Sequence, residues 1–429
     1  MLTVAIFAVL LVFILLDLPI VVAIALTAVV FFAGLGKGPL LAMLPQRMYS
    51  GTTGFVLLAV PFFILAGNLM NTGGITSRIF RFAKALFGHV PGGLGQVSVV
   101  SSMIFSGMSG SAVADAAGLG QIQHKAMVDN GYKPVISATI VAASSTIGPV
   151  IPPSIPFVLY GALTGVSVAR LFMAGFFPGL LMGLAMIVAI AIMAKPRGLP
   201  HSERANLAEI LVSFREAFLP LMAPIIIIGG IFSGIFTPTE ASVVACIYAA
   251  VLGFLYKDLK LRDVPEILWK SIKQSTALLF IMAAASFFGW LTLYQKIPDH
   301  IIGNLASMSV SGPGVLSMIM FISLLLGCFL EGNSIFMITI PIFLPIASQY
   351  GLDLVNLGVV MTLLIMIGNL TPPVGMCLFA VSSFSRVGIM DLAKESLPYI
   401  VGIFLVTIVI AFVPQIATYL PNLVMGKGM

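Results

Sequence analysis

The sequence predicts an all-α integral membrane protein built from two inverted repeats, each holding a re-entrant helical hairpin and a broken transmembrane helix. Three observations carry this expectation. Of the 429 residues, 59% are hydrophobic and only 8% charged, where a soluble domain carries about 25% charged residues. A seven-residue phrase occurs twice, 220 positions apart: Ile147-Gly148-Pro149-Val150-Ile151-Pro152-Pro153 matches Ile367-Gly368-Asn369-Leu370-Thr371-Pro372-Pro373, and the same offset aligns Gly131 with Gly351 and Pro178 with Pro398. The basic residues segregate to one side of the spans that hydropathy draws.

A helix needs about 20 apolar residues to cross the hydrocarbon core. The first half, 1–194, offers spans at 2–16, 19–34, 55–71, 135–166 (broken) and 169–194. Residues 1–16 lack the basic start of a cleavable signal and run directly into further apolar sequence. The polar stretch 195–218 reads as a cytoplasmic linker. The second half, 219–429, offers 219–235, 239–256, 275–293, 355–382 (broken) and 394–416. The first two spans of each half are joined by tight turns, at Asp17-Leu18-Pro19 and Thr237-Pro238, and each pair also fits one long tilted helix. The mixed segments 38–50 and 260–273 fit either amphipathic helices on the membrane surface or plain loops.

Two stretches do not read as ordinary spans. Residues 95–106 make about 18 Å of helix, meet the turn Gly107-Met108-Ser109-Gly110-Ser111, and return through 112–127. The second half repeats this around Glu331-Gly332-Asn333-Ser334. Both are read as re-entrant hairpins, about 92–127 and 313–350, with polar tips near the midplane. Irregular backbone at that depth survives only inside protein or beside a water-filled cavity. A pair of normal spans with a short surface loop is the alternative.

Charge tests the scheme, because Lys and Arg concentrate in cytoplasmic loops. With the linker inside and five spans per half, sixteen of the 21 basic residues fall inside; Lys37, Arg47, Arg170, Lys296 and Lys427 fall outside. An odd span count turns the second half upside down relative to the first. Merging each first pair into one helix would remove the inversion.

Gly and paired Pro inside an apolar stretch must interrupt a helix, and two broken helices at corresponding places in two halves mark the binding site of a secondary transporter. In the first half Ser106, Gly107, Ser109, Gly110 and Ser111 face Ser144, Ser145, Gly148, Pro149, Val150 and Ser154. In the second, Glu331, Gly332, Asn333 and Ser334 face Gly368, Asn369, Leu370 and Thr371. Unwound carbonyls and neutral side-chain oxygens suit a small hard cation, so Na⁺ is expected at no fewer than two sites, one per half. Ser106, Gly107, Ser145, Gly148 and Val150 are its candidate ligands in one half, and Gly332, Gly368, Asn369 and Thr371 in the other. Taken singly, each of these serines also fits a purely structural role.

Helices that start at the tips point their positive ends inward, with Ser111 and either Asn333 or Ser334 as N-caps. Two opposed positive ends would trap an anion, so the cargo is expected to be a carboxylate. Ser109, Ser111, Ser154 and Asn333 are the expected contacts. Glu331, an ionisable group at a depth where charge costs at least about 2.5–3.5 kcal/mol, fits a cation ligand, a proton carrier, an acceptor for cargo hydroxyl or amide groups, or a water-exposed tip. Asp115 fits a solvated or a capping role. Arg47 fits either a contact to the cargo carboxylate or a surface position.

Several classes drop out. The net charge of +6 is no nucleic-acid signal, since the basic residues sit in loops. The three cysteines and four histidines have no metal-ligand spacing, and Cys246, Cys328 and Cys377 read as packing residues. No Walker motif, His-Glu-x-x-His or nucleophile–base pair is present, so an enzyme is not expected.

The chain resembles the large membrane subunit of tripartite ATP-independent periplasmic (TRAP) transporters. The likeness rests on Leu44-Pro45-Gln46-Arg47, Pro61-Phe62-Phe63-Ile64-Leu65-Ala66-Gly67, the 107–111 turn, Gly148-Pro149-Val150-Ile151-Pro152-Pro153-Ser154, Phe236-Thr237-Pro238-Thr239-Glu240 and Gly368-Asn369-Leu370-Thr371-Pro372-Pro373. It implies a multi-pass protein of the bacterial inner membrane, set in the lipid bilayer beside a separate small four-span membrane subunit. It also implies a soluble periplasmic substrate-binding protein, Na⁺-coupled import, and an elevator-like motion of hairpins and broken helices against a scaffold. The implied cargo is an organic acid, a C4-dicarboxylate or a sialic acid, and the overall likeness leans to the sialic-acid branch. A stand-alone Na⁺/dicarboxylate carrier of related architecture, working without a binding protein, is the alternative.

Overall fold

A chain this apolar must pair its backbone N–H and C=O groups internally, and helices do so without help from other segments. Residues 2–426, which the computed structural model describes, contain helices and no strand; Lys427 lies outside the described residues. Among the described residues seven helices are long and apolar enough to cross a membrane, and the molecule is an all-α integral membrane protein.

The first half opens with α1 (Leu2–Leu15) and α2 (Ile20–Gly34), separate helices packed on each other, so the single tilted helix is not formed. Asp17, in the left-handed region at φ 62°, and Pro19 make the turn between them. A 3₁₀ turn and α3 (Leu44–Ser50) follow, then α4 (Ala59–Thr72) and α5 (Ile75–Phe87). Hydropathy alone passed over α5. It buries Ile75, Ile79, Phe80 and Ala83 at helical spacing while Arg81 and Lys84 stay exposed. The hairpin is α6 (Gly93–Ser109) returning through α7 (Ala112–Ala117) and α8 (Leu119–Asp129). The broken helix is α9 (Pro134–Ser145) plus α10 (Ile155–Thr164), and α11 (Val168–Ala194) closes the half.

In the second half, α12 (Leu207–Phe232) starts inside the expected linker because the Asn206 side chain accepts from Glu209 N at 2.7 Å and caps it. Then come α13 (Pro238–Leu255) and α14 (Val264–Tyr294). The segment 260–273 is neither a loop nor a separate surface helix; most of it is the beginning of the 31-residue α14. In the first half the equivalent stretch is broken up. Adding 220 places Gly51 and Gly54 on Ser271 and Gln274, and glycine costs a helix about 1 kcal/mol per residue. Next are α15 (Ile297–Ser307) and the second hairpin, α16 (Gly312–Gly327) and α17 (Gly332–Gln349). The second broken helix is α18 (Leu354–Gly368) plus α19 (Met376–Ser385), followed by α20 (Ile389–Phe412) and α21 (Gln415–Met425). Neither α15 nor α21 was expected. Shifting α9 and α10 by 220 gives 354–365 and 375–384, against 354–368 and 376–385 for α18 and α19.

The halves interlock. Helix α4 packs on α13 and α14 on α2, so each half lends one helix to the other. Helix α10 lies against α17 and α19 against α7, which sets each broken helix beside the opposite hairpin. On the linker side, Arg78 meets Asp258 and Arg81 meets Glu216, both at 2.7 Å, and Arg197 pairs with Glu395. These pairs bring basic residues expected on one face together with acids of the second half or the linker helix. Exposed pairs of this kind are worth about 0–1 kcal/mol each, so interhelical packing carries the stability. Cys246 and Cys377 are buried and unpaired, as packing residues.

The tightest backbone approach joins the second hairpin to the second broken helix. A Cβ on Gly327 would lie 3.3 Å from Gly368 Cα, and one on Gly368 would press into the Gly327 backbone. Gly368→Ala is therefore expected to destabilise the protein by about 1–3 kcal/mol through overpacking. Gly229→Ala, which meets nothing within 4 Å, should be neutral or stabilising by up to about 1 kcal/mol. Thermal unfolding in detergent tests the pair; equal Tm values for the two variants would refute the close contact.

Candidate functional site

Each break is shaped by residues that cannot continue a helix. In the first, Pro149, Pro152 and Pro153 lack an N–H. Ser154 then caps α10, its Oγ accepting from Phe157 N at 3.2 Å and donating to the Pro149 carbonyl. In the second, Gly375 takes φ 54° before α19. The Pro152-Pro153 and Pro372-Pro373 peptide bonds are both cis. A backbone hydrogen bond ties each break to its own hairpin: Ile155 N donates to Gly110 O at 3.4 Å, and Val374 N to Cys328 O at 3.1 Å.

The tips are built alike. Gly110 takes φ 62°, where a Cβ would stand 3.2 Å from Ile155 N. Ser111 caps α7 as expected. The cap of α17 is Glu331, not Asn333 or Ser334: its carboxylate accepts from Ser334 N at 3.3 Å, from Ser334 Oγ at 3.3 Å and from Asn333 Nδ2 at 2.6 Å. A carboxylate one residue before the helix reaches the third helical N–H, which is the capping geometry. Adding 220 to Ser111 gives 331, so both caps hold the same place in their halves.

The tips and breaks enclose a cavity of about 400 Å³. Ser109, Gly110 and Ser111 line it from one tip, and Glu331, Gly332, Asn333 and Ser334 from the other. Pro149 and Ile155 come from the first break and Asn369 from the second, while Ile64, Asn68, Gln274, Leu278 and Ile281 close it from α4 and α14. Of the expected residues, Ser109, Ser111, Glu331, Gly332, Asn333 and Asn369 thus reach the wall. Ser106, Gly107, Ser145, Gly148, Val150, Ser154, Gly368 and Thr371 do not line it. The hydroxyls of Ser106, Ser145 and Thr371 donate to the carbonyls of Ser102, Ala142 and Ile367 at 2.6, 2.8 and 2.8 Å. Their lone pairs remain available to a cation. Arg47 is not brought here; it lines a different cavity.

Sequence reasoning left Asp115 with a solvated or capping role, and the structure buries it. Its Oδ1 accepts from Ser109 Oγ, and its Oδ2 has no partner. A Cβ on Gly148 would meet that bare oxygen and lie 3.2 Å from the Ser145 carbonyl. One carboxylate, one hydroxyl and one carbonyl therefore converge at the first break, an oxygen set suited to a hard cation. The signal that marks Asp115 is the one that marks Glu331, an ionisable side chain within an apolar stretch. Among the described residues, no three His, Cys, Asp or Glu gather as a transition-metal site.

The electrostatics differ from an anion trap made by two helix ends. The protein's own Glu331 fills the α17 end, and α7 runs only six residues, too short to sum a full macrodipole. Among the described residues, Glu331 is the single ionisable side chain on the wall, with no Lys or Arg lining it. Asn333 Oδ1 is buried without a donor, an open acceptor for a hydroxyl or amide.

The family model of the tripartite ATP-independent periplasmic transporter, DctM component, matches residues 7–416. The chain is 41% identical over 379 residues to the sialic acid TRAP transporter permease protein SiaT of Haemophilus influenzae, covering 88% of this chain but only 62% of that protein. It is 42% identical over 384 residues to the sialic acid TRAP transporter large permease protein SiaM of Vibrio cholerae, covering 89% and 90%. It is 38% identical over 377 residues to the C4-dicarboxylate TRAP transporter large permease protein DctM of Pseudomonas aeruginosa, covering 88% of each. Among solved structures, the Alcanivorax borkumensis YdaH transporter matches with TM-score 0.63 at 15% identity, over 89% of this chain and 90% of that one. That last likeness is one of fold.

Glu331→Ala should lower stability by about 1 kcal/mol, the usual cost of a lost cap. Glu331→Gln, whose amide oxygen still accepts from Ser334 N, should recover at least half of it. Thermal unfolding of the purified protein reads both, and an unchanged Tm in the alanine variant would show that the cap is not made.

Proposed function

The chain belongs to the TRAP transporter family as a DctM-type large permease, a multi-pass protein of the bacterial inner membrane, and from this we propose that it imports an organic acid together with Na⁺. The cargo is of the sialic-acid or C4-dicarboxylate class, in keeping with the names of its relatives. A periplasmic binding protein delivers it, and a small four-span subunit completes the membrane complex.

The observation that carries this reading is the cavity in which both tips and both breaks meet. Its wall offers hydroxyls, amides and one carboxylate but no basic side chain. An organic anion entering such a wall needs cations from solution, because an unpaired charge out of water is costly. Na⁺ answers that need. In the first half Asp115, Ser109 and the Ser145 and Gly148 region hold one ion; in the second Gly332, Gly368, Asn369 and Thr371 hold another. Asn333 Oδ1 and Ser111 take the hydroxyl or amide groups of the cargo.

The two halves act as inverted repeats. The bonds Ile155 N to Gly110 O and Val374 N to Cys328 O make each tip and break travel as one body. That body slides along α4, α13 and α14, which form the fixed scaffold of an elevator.

Uptake into proteoliposomes tests the proposal. It should require an inward Na⁺ gradient and added binding protein; uptake without the binding protein would favour a stand-alone Na⁺/dicarboxylate carrier. Asp115→Asn and Asn369→Ala should each raise the half-saturating Na⁺ concentration about tenfold, as for the loss of one ligand worth about 1.4 kcal/mol. Wild-type Na⁺ dependence in both variants would remove the ion sites.

A further inference from the structure

A second cavity, of about 860 Å³, lies farther along α14 and α17. The first takes Gln274, Ala277, Leu278 and Ile281 from α14; the second takes residues from Met282 to Leu293. From Leu278 to Gly289 along that helix is about 16 Å at 1.5 Å per residue. The second cavity opens beside Val168, where α11 begins, whereas the linker leaves from the other end of that 27-residue helix. The two cavities are thus stacked, with the second on the side away from the linker.

Among the described residues, Arg47 is the single ionisable side chain lining this second space. Its guanidinium carbon sits 5.1 Å from the Trp290 ring centroid. It is partly buried and makes no ion pair and no side-chain hydrogen bond among the described residues. A guanidinium has five N–H donors in a plane that matches a carboxylate edge on. A cation over an aromatic face needs no hydrogen-bond donor for that contact, so the donors of Arg47 stay free for a ligand. The side chains of Thr239 and Ser286, also on the wall, stand ready to meet polar groups on the rest of a ligand.

We infer that Arg47 and Trp290 form a second organic-anion site, which holds the cargo carboxylate on the scaffold before the tips receive it. This rests on the transport reading above. The wall facing Arg47 includes Met337, Ile340 and Pro341 of α17, the helix whose first turn is the second tip. A displacement of about 16 Å along α14 would carry that tip to the level of Arg47. A lipid phosphate offers a related oxyanion, but the tip-bearing helix on the opposite wall places the site on the path of the cargo.

The chain has two tryptophans, and the Trp290 emission is isolated in the assembled complex by subtracting a Trp290→Phe variant. Succinate and a sialic acid serve as probes. Each should quench this component saturably; Arg47→Gln should abolish the quench, and Arg47→Lys should keep part of it. Asn369→Ala, in the first cavity, should leave the quench while impairing uptake. In uptake, Arg47→Gln should raise KM for the acid about tenfold, the effect of losing one charge-assisted hydrogen bond, with the half-saturating Na⁺ concentration unchanged. No quench by either acid, or equal quench in Arg47→Gln, overturns the inference. So does a Trp290 emission that responds through Arg47 to phosphatidylglycerol but to neither acid. Absence of uptake in the wild type with the quench intact would instead count against the transport reading.

Discussion

Broken backbone deep in an apolar layer must find partners within the protein, and that requirement organises this molecule. Each interrupted helix frees amides and carbonyls that cannot reach bulk water. Ile155 N and Val374 N answer by donating to the hairpin of their own half, and Ser154 Oγ bridges the first gap by joining Pro149 O to Phe157 N. The tips in turn need a cap for the helix that returns from them, which Ser111 and Glu331 supply. Once these bonds are made, four irregular segments are pinned around one space. The few polar groups on an otherwise apolar cavity wall are thus a by-product of satisfying the backbone.

The same constraint explains the charge balance of the site. A carboxylate placed as a cap, bonded by Ser334 and Asn333, is tolerable at depth because its acceptors are filled. It also occupies the positive end of α17. The wall is left with acceptors and neutral donors, and Asp115 adds a bare carboxylate oxygen behind it. No basic side chain among the described residues lines this wall, while Arg47 lines the second cavity.

Much of this was legible from the chain. Paired prolines in apolar runs are strong local signals, so the broken helices and both hairpins were expected within a few residues of where they lie, for example 313–350 against Gly312–Gln349. Elements that depend on amphipathic spacing were harder. Helix α5 and the short α15 and α21 carry too few apolar residues in a row to stand out. The 31-residue α14 was read as two pieces because its first turns are polar. Site residues divided the same way. Ser109 and Asn369 could be placed by their position on a tip or break, whereas the pairing of Asp115 with Gly148 is a tertiary contact across more than thirty positions that no local pattern encodes. The charge of Arg47 stands out in the sequence, but its company, Trp290, comes from the end of α14 in the other half.

The two halves are not mechanical equals. Helix α14 runs unbroken from its polar foot at Val264 past Gln274 on the cavity wall to Tyr294, about 46 Å of rod at 1.5 Å per residue. Its counterpart is jointed at Gly51 and Gly54. One unbroken helix thus joins residues 264–273 to the cavity wall in the second half, where the first half has a turn between α3 and α4.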